Sequence, residues 1–328
     1  MPRENPHRPY TPDPAQMERA PDVSGNAING LGEEVFRRPD VVYWSTDTAK
    51  IPHGQMQDYF YQRSSTVPAF GEARARRLKI NEAPLPPVAP TPARYAPEAW
   101  TSLLDQFVDA GDCDMVGVAV MNPDWAYAGQ DVPQSRIIVL GVQHEYDDIR
   151  TAPEATAGLE VVHQYTRAGA AAKKITGWLH EQGWGAEAVT GPLTGSVTLI
   201  PPALACGFGE LGKHGSIINP EFGASFRLSA VLTDAPFEPT PPRDFGIDAF
   251  CQNCRICEDA CPPEALSPDK QIVRGETKWY VDFDKCIPFF NETHGCAICI
   301  AVCPWSRPGV GLNLAQKLAI RAKRQGAE

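Results

Sequence analysis

The sequence contains no uninterrupted apolar run of the roughly 18 residues that a membrane-spanning helix needs. Its first residues, MPRENPHRPYTPDP, have neither the apolar core of a secretory signal nor the paired arginines of a twin-arginine signal. Positive charge is not in excess either. Thirty Lys and Arg face 40 Asp and Glu, a net charge of −10. That argues against a general nucleic-acid binder, which needs basic surface to displace counterions, although it does not rule out a local basic groove. No internal repeat is present beyond two cysteine runs. The expectation is a cytoplasmic protein with no membrane and no nucleic acid among its partners.

Cysteine, by contrast, is concentrated. Eight of the ten cysteines lie near the C-terminus in two runs. The first is Cys251-x-x-Cys254-x-x-Cys257-x-x-x-Cys261-Pro262. The second is Cys286, followed by Cys296-x-x-Cys299-x-x-x-Cys303-Pro304. Thiolates so spaced can wrap a cubane iron–sulfur cluster, and in two-cluster ferredoxins the fourth cysteine of each run ligates the other cluster. This assigns Cys251, Cys254, Cys257 and Cys303 to one [4Fe–4S] cluster. Cys261, Cys286, Cys296 and Cys299 go to a second. The alternatives are structural zinc, which usually shows separated C-x-x-C pairs without the C-x-x-x-C-P tail, and disulfides, which a reducing cytoplasm disfavours. Two adjacent clusters make a path for single electrons. Cys113 and Cys206 are left over and read as small buried hydrophobes.

The cluster unit occupies about residues 244–307, so most of the 328-residue chain serves another purpose. Residues 1–98, rich in Pro, Arg and polar groups, read as a partly irregular N-terminal extension. Within them Pro84–Tyr95 (PLPPVAPTPARY) reads as an extended linker or wrapping arm. Residues 99–243 read as a compact α+β core. Ala99–Ala110 and Val162–Gln182 are helix candidates, the latter ended by Gly183. Met115–Val120, Ile137–Val142, Ser196–Ile200 and Phe226–Leu232 are strand candidates. Residues 308–328 follow the clusters, and Leu312–Arg324 reads as an amphipathic, basic closing helix.

A glycine-rich loop spans Gly207–Gly223. Gly207-x-Gly209-x-x-Gly212 matches a dinucleotide fingerprint, and Gly207-x4-Gly212-Lys213 nearly matches a P-loop. Both matches lack their context. His214 stands where a P-loop needs Ser or Thr for magnesium, and Pro201-Pro202 precedes the loop where a βαβ unit needs a strand. The loop still lets backbone amides approach a large polar ligand, or is a plain structural turn.

Taken together, Arg150–Pro153, Tyr165, GFGELGKHGSIINPEFGASFRLSAVLTDAPF, DFGIDAFCQNCRICEDACP and CIPFFNETHGCAICIAVCPW resemble the reductive dehalogenases, corrinoid and iron–sulfur enzymes. The likeness covers roughly residues 100–307 and is strongest over 205–305. The resemblance implies a nitroreductase-like core holding base-off cobalamin, with a ferredoxin-like two-[4Fe–4S] module packed over it. The Asp-x-His-x-x-Gly cobalt-ligand signature is absent, as the family's unligated cobalt implies. The GELGKHG loop and Gly191-Pro192 look most like the cytoplasmic, catabolic branch. That branch often carries a fused reductase after the clusters. This chain ends at Glu328 without one, so a separate ferredoxin or flavin reductase is expected as electron donor.

By motif position, the family's proton donor, a tyrosine at the start of a helix, falls on Tyr165. Its basic partner falls on Arg227. A phenol has a pKa of about 10 and is a poor acid at neutral pH, but a neighbouring guanidinium stabilises the phenolate left behind. Gly207, Gly209, Gly212, Lys213, His214 and Gly215 are the expected cofactor contacts. The asparagine of the respiratory branch has no counterpart at Thr190-Gly191-Pro192, and Pro288–His294 is a candidate cavity lining. The expected reaction is removal of halide from an organohalide such as a halogenated aromatic or phenol. Its rivals are an epoxyqueuosine reductase-like tRNA-modifying enzyme, which uses an aspartate acid and often basic C-terminal repeats, and a non-catalytic corrinoid/iron–sulfur electron carrier. The sequence leaves a homodimer open.

Overall fold

The computed structural model describes residues 5–325. Its centre is a four-stranded antiparallel sheet of β1 (Met115–Val120), β2 (Arg136–Gln143), β3 (Ala186–Val189) and β6 (Phe226–Thr233), in the order β1-β2-β6-β3. Two hairpins lie outside it: β4 (Glu210–Leu211) with β5 (Ile217–Ile218), and β7 (Gln271–Val273) with β8 (Glu276–Lys278). Among the described residues, six helices run for seven residues or more. They are α1 (Gly54–Ser65), α2 (Pro68–Glu82), α3 (Ala155–Glu181), α4 (Ile247–Asn253), α5 (Phe283–Glu292) and α6 (Val310–Gln325).

Strand alternation builds two cores. Ile138, Leu140 and Val142 of β2, with Val231 of β6, face α3 and the Trp100 cluster. Ile137, Val139, Ala230 and Leu232 face the opposite layer, which contains Phe208 and Phe226. Both sides of the sheet are therefore buried, and so β2 and β6 read as continuous apolar runs.

The approach of α3 to the sheet rests on small side chains. Ala168, Ala171 and Ala172 are buried against it, and the Ser229 hydroxyl of β6 donates to the Ala168 carbonyl at 2.7 Å. Gly183, at φ 79°, ends the helix: its N–H bonds to His180 O and that of Trp184 to Leu179 O, each at 2.9 Å.

Several sequence expectations are corrected here. The helix begins at Ala155, two turns before Val162, which puts Tyr165 about three turns in rather than at the start. Thr156, Gly158 and the adjacent valines are weak helix formers. The first turns are held by tertiary contacts instead: Glu160 accepts from the Glu145 N–H at 2.7 Å and from Gln164 at 2.9 Å. Ser196–Ile200 is not a strand. Val197 makes one isolated bridge to Ala126, and Ile200 opens a short helix whose first turn takes Pro201 and Pro202, where missing N–H donors cost little. Ala99–Ala110 breaks into Pro97–Ser102 and Asp105–Asp109. β3 was not anticipated at all. Within the glycine loop, β4 and β5 pair, and Gly209 (φ 146°) is obligatory, since a Cβ there would lie 2.0 Å from Ile218 O.

The N-terminal stretch is more ordered than its composition implies. Pro84–Tyr95 is an irregular arm, tied to the end of α3 by Ala89 N–H to His180 O and Ala93 N–H to Gln182 O, both 2.8 Å. Upstream of it, however, α1 packs against α5 and α2 against α3. Cys113 and Cys206 are buried.

Because Ala172 is fully buried at the helix–sheet contact, Ala172→Leu should destabilise the fold by about 1–3 kcal/mol through overpacking. A lowered urea midpoint at unchanged slope is the expected reading. An unshifted midpoint would mean that the helix–sheet contact has slack.

Candidate active site

Two cavities meet at one wall. The larger, about 680 Å³, is bounded by the loops after β3, the end of the glycine loop, the start of β6 and residues 278–287 of the cysteine-rich segment. The smaller, about 210 Å³, lies among α1, α2, the first turns of α3 and residues 290–297. Trp44, Tyr165, Pro192 and Arg227 line both. The guanidinium carbon of Arg227 sits 5.2 Å from the centre of the Tyr165 ring.

Local structure explains the meeting. On β6, Arg227 and Ser229 share a face, and on α3, Tyr165 and Ala168 share another. The Ser229–Ala168 hydrogen bond sets the register that brings Tyr165 and Arg227 together at the sheet's edge. Arg227 Nε is buried without a partner. Behind it, His144 hydrogen-bonds Ser225 Oγ through Nδ1 at 3.1 Å, and burial, then Arg227, push its pKa well down. His144 is therefore neutral, which leaves Arg227 as the cation of this corner.

Of the six glycine-loop residues expected at a cofactor, His214 and Gly215 line the larger cavity. Gly207, Gly209, Gly212 and Lys213 do not. The three glycines permit close packing: a Cβ at Gly207 would meet Pro241 O at 2.6 Å, and one at Gly212 the Ile218 side chain at 2.6 Å. Lys213 is buried in an ion pair with Glu258, its Nζ 5.0 Å from the Trp279 ring centre. It stands beside Cys251 and Cys257 rather than in the cavity.

His214 has a defined role available. The Ser216 N–H donates to its Nδ1 at 3.3 Å, which assigns the proton to Nε2. That Nε2 is buried and unpartnered. Burial pushes the pKa down to about 4. The ring is thus a neutral donor awaiting an acceptor. It is ill suited to ligate a metal, because Nε2 holds its proton.

The eight cysteines fall into two groups. Burial pushes Cys257 up to about 12, and its neighbours Cys303, Cys254 and Cys251 push it further. Burial raises Cys299 too, followed by Cys296, Cys286 and Cys261, with Cys257 last. The neighbourhoods match the crossed assignment made from spacing, and Cys257 and Cys299 are where the groups touch. No three Cys, His or carboxylate groups among the described residues stand close enough to share one ion. Thiolates around a cluster several ångströms wide stand apart in this way. The N-terminal segment seals the second group, since the Arg8 guanidinium donates to Cys261 O at 2.6 and 3.0 Å. Cys296 itself lines the smaller cavity.

The sequence missed most of that cavity. Phe290 and His294 were anticipated within Pro288–His294; Trp44, Phe60, Tyr61, Phe70, Arg74 and Arg77 were not. They belong to no motif. The available signal was the arginine run over residues 74–77, two of whose members lie three residues apart on one helix face.

Comparison with known proteins gives these features a family. The 4Fe-4S dicluster domain matches residues 250–306. The tetrachloroethene reductive dehalogenase of Desulfitobacterium hafniense is 34% identical over 218 residues, 62% of this chain and 39% of that protein. That of Sulfurospirillum multivorans is 26% identical over 247 residues, 61% and 49%. This chain is a relative of the reductive dehalogenases. The solved catabolic reductive dehalogenase NpRdhA shares the fold, with a TM-score of 0.72 at 21% identity over 92% of this chain and 46% of that one. An epoxyqueuosine reductase of Staphylococcus aureus is 33% identical over 130 residues, 38% of this chain and 32% of that protein. The chain spans less than half the length of each of these dehalogenases.

If the thiols group as their neighbourhoods indicate, Cys303→Ser should remove the same cluster as Cys254→Ser. Each would take reconstituted iron from about eight to about four atoms per chain. Cys261→Ser should instead share the EPR phenotype of Cys286→Ser. Equal perturbation of both clusters by Cys303→Ser would break the assignment.

Proposed function

We propose that this chain carries out reductive dehalogenation of an organohalide, with a corrinoid in the larger cavity and the substrate in the smaller. The observation that carries the reading is the Tyr165–Arg227 pair in the wall common to both. A cofactor-sized space and a ring-sized space meet there, at one potential acid with a cation beside it. The overall change consumes two electrons and one proton and releases halide, R–X + 2e⁻ + H⁺ → R–H + X⁻.

The larger cavity suits a wide, polar-edged cofactor. Its floor is apolar at Val189, Leu228 and Ile217, its rim is polar at Asn29 and Arg274, and the orphaned His214 Nε2–H offers a hydrogen bond to an amide or phosphate oxygen. Bound there, a corrinoid would supply the low-valent cobalt that breaks the carbon–halogen bond. No histidine is positioned to ligate it, in keeping with a base-off form. Electrons would arrive from a separate ferredoxin or flavin reductase through two [4Fe–4S] clusters held by the eight thiolates. Tyr165 would deliver its hydroxyl proton to the carbon that loses halide, and the Arg227 charge would stabilise the tyrosinate left behind. Trp44 and Pro192 would keep water from that wall.

A cavity of about 150 Å³ is enough for benzene, so the smaller cavity fits one substituted ring. That supports a halogenated aromatic over the chloroethene named for the curated relatives. It also disfavours a tRNA nucleotide, as does the acidic charge. A cytoplasmic, catabolic setting completes the proposal. Among the described residues no helix is long and apolar enough to cross a membrane.

Tyr165→Phe deletes one hydroxyl and should leave iron and corrinoid loading intact while halide release falls about 10²–10⁴-fold. Arg227→Ala should be comparably impaired, with Arg227→Lys keeping a substantial part, because the role needs charge more than guanidinium geometry. Near-normal turnover by Tyr165→Phe would move the acid elsewhere. An active alanine variant would leave Arg227 without a part in the chemistry.

Cobalt(II) EPR offers an independent check. No nitrogen splitting should appear, in wild type or in His214→Ala. Splitting that vanishes in His214→Ala would make His214 a cobalt ligand.

A further inference from the structure

The smaller cavity is unusually cationic for an apolar pocket. Its walls include the rings of Trp44, Phe60, Tyr61, Phe70 and Phe290, three guanidinium groups (Arg74, Arg77 and Arg227), and no carboxylate. Among the described residues none of these three arginines has a carboxylate at ion-pair distance. Arg77 donates to the Gly191 carbonyl at 3.1 Å, and Arg74 to the Ser64 hydroxyl. Arg74 also lies 4.7 Å from the Tyr61 ring centre and 5.3 Å from that of Phe70. Stacked on Phe70 at 5.4 Å is His294, whose buried Nδ1 has no partner. His294 feels Arg63 and Arg74 more strongly than its one nearby carboxylate, Glu154.

Cation–π contact can account for Arg74, at about 0.5–2 kcal/mol. It does not account for Arg77, for Arg227 or for their gathering around one space. Half-buried cations without counter-charge are costly, and the chain as a whole is acidic enough to have supplied partners. The missing charge belongs to whatever fills the cavity.

Arg74 and Arg77 line the smaller cavity alone, whereas Arg227 belongs to the wall shared with the larger. We propose that the smaller cavity is built for an aromatic anion, a ring bearing a carboxylate or phenolate, whose charged group is held by Arg74 and Arg77 of α2. Held there, the ring presents another edge to Tyr165. The choice of substrate would thus lie in the N-terminal helices, outside the corrinoid cavity and the clusters. The orienting role rests on the dehalogenase reading; the anion preference does not.

Binding to the intact, cofactor-loaded protein separates the two. Calorimetry with benzoate against benzamide, and with 2,6-dichlorophenolate against 2,6-dichloroanisole, compares rings of similar shape that differ in charge. Wild type should favour at least one anion by about tenfold or more, as expected for charge-assisted hydrogen bonds. The pair that shows the preference says whether the group is carboxylate or phenolate. Arg77→Gln and Arg74→Gln, at equal iron and corrinoid loading, should each erase most of that preference, and Arg74→Lys should keep it. With the brominated benzoate and benzamide, the same variants should lose the anion's advantage through KM rather than kcat. Equal binding of charged and neutral rings by wild type, or a preference untouched in both glutamine variants, would overturn the proposal. Anion-selective binding without halide release from any pair would sink the dehalogenase reading and leave the anion site standing.

Discussion

The site depends on how closely α3 can lie on β6. Ala168 and Ala172 present no bulk, so helix and strand backbones approach until Ser229 can donate to a helix carbonyl. That bond is specific to one register. Two residues back along the strand and three back along the helix, it leaves Arg227 and Tyr165 facing each other. A one-residue slip of β6 would turn Arg227 to the opposite face. The other side of α3 receives α2, and Gly158 in its second turn admits the His294 loop, where a Cβ would sit 2.6 Å from the His294 carbonyl. One helix therefore touches the sheet, the N-terminal helices and the cysteine-rich segment, and the cavities are the spaces left between them.

Charge inside the protein runs opposite to charge overall. The chain carries −10, yet the side chains that reach the two cavities' common corner are cationic or neutral. His144 and His214 are kept uncharged by burial. Arg227 stays charged beside Tyr165, where a negative charge would develop as the proton leaves. Lys213, paired with Glu258, lies next to thiols that must become thiolates to hold iron. In each place a fixed cation faces a position where negative charge is created during cofactor assembly or turnover. Such preorganisation is worth most where water is excluded.

How much of this could be read from the sequence varied with the range of the interactions. The cysteine spacing specified both groups, including the crossing of Cys261 and Cys303, because ligand geometry is encoded within a few residues. β1, β2 and β6 were legible as apolar runs, and Gly183 as a helix end. The start of α3 was not, since it is held by Glu160 reaching to Glu145 rather than by local propensity. In the loop, glycines that look like ligand contacts proved to be packing contacts for Ile218 and Pro241, a distinction that spacing alone does not carry. Arg74 and Arg77 were invisible for the same reason. Nothing local distinguishes a helix arginine facing solvent from one facing a cavity formed by residues more than 200 positions away.

That last failure bears on how the fold divides its labour. The parts with legible motifs, the cysteine runs and the Tyr165–Arg227 region, are those whose chemistry any substrate of the class would need. The parts without motifs, α1, α2 and the Trp44 loop, form the walls that meet a particular substrate. Trp44 is fixed by its carbonyl accepting the Thr194 N–H at 2.7 Å, and its ring abuts Phe60 and Phe290. Substitutions in these walls can alter the shape and charge of the smaller cavity while leaving the α3–β6 register intact, because no bond that sets the register passes through them. A segment that reads as a polar, proline-rich extension is therefore where variation in substrate can accumulate at least cost to the core.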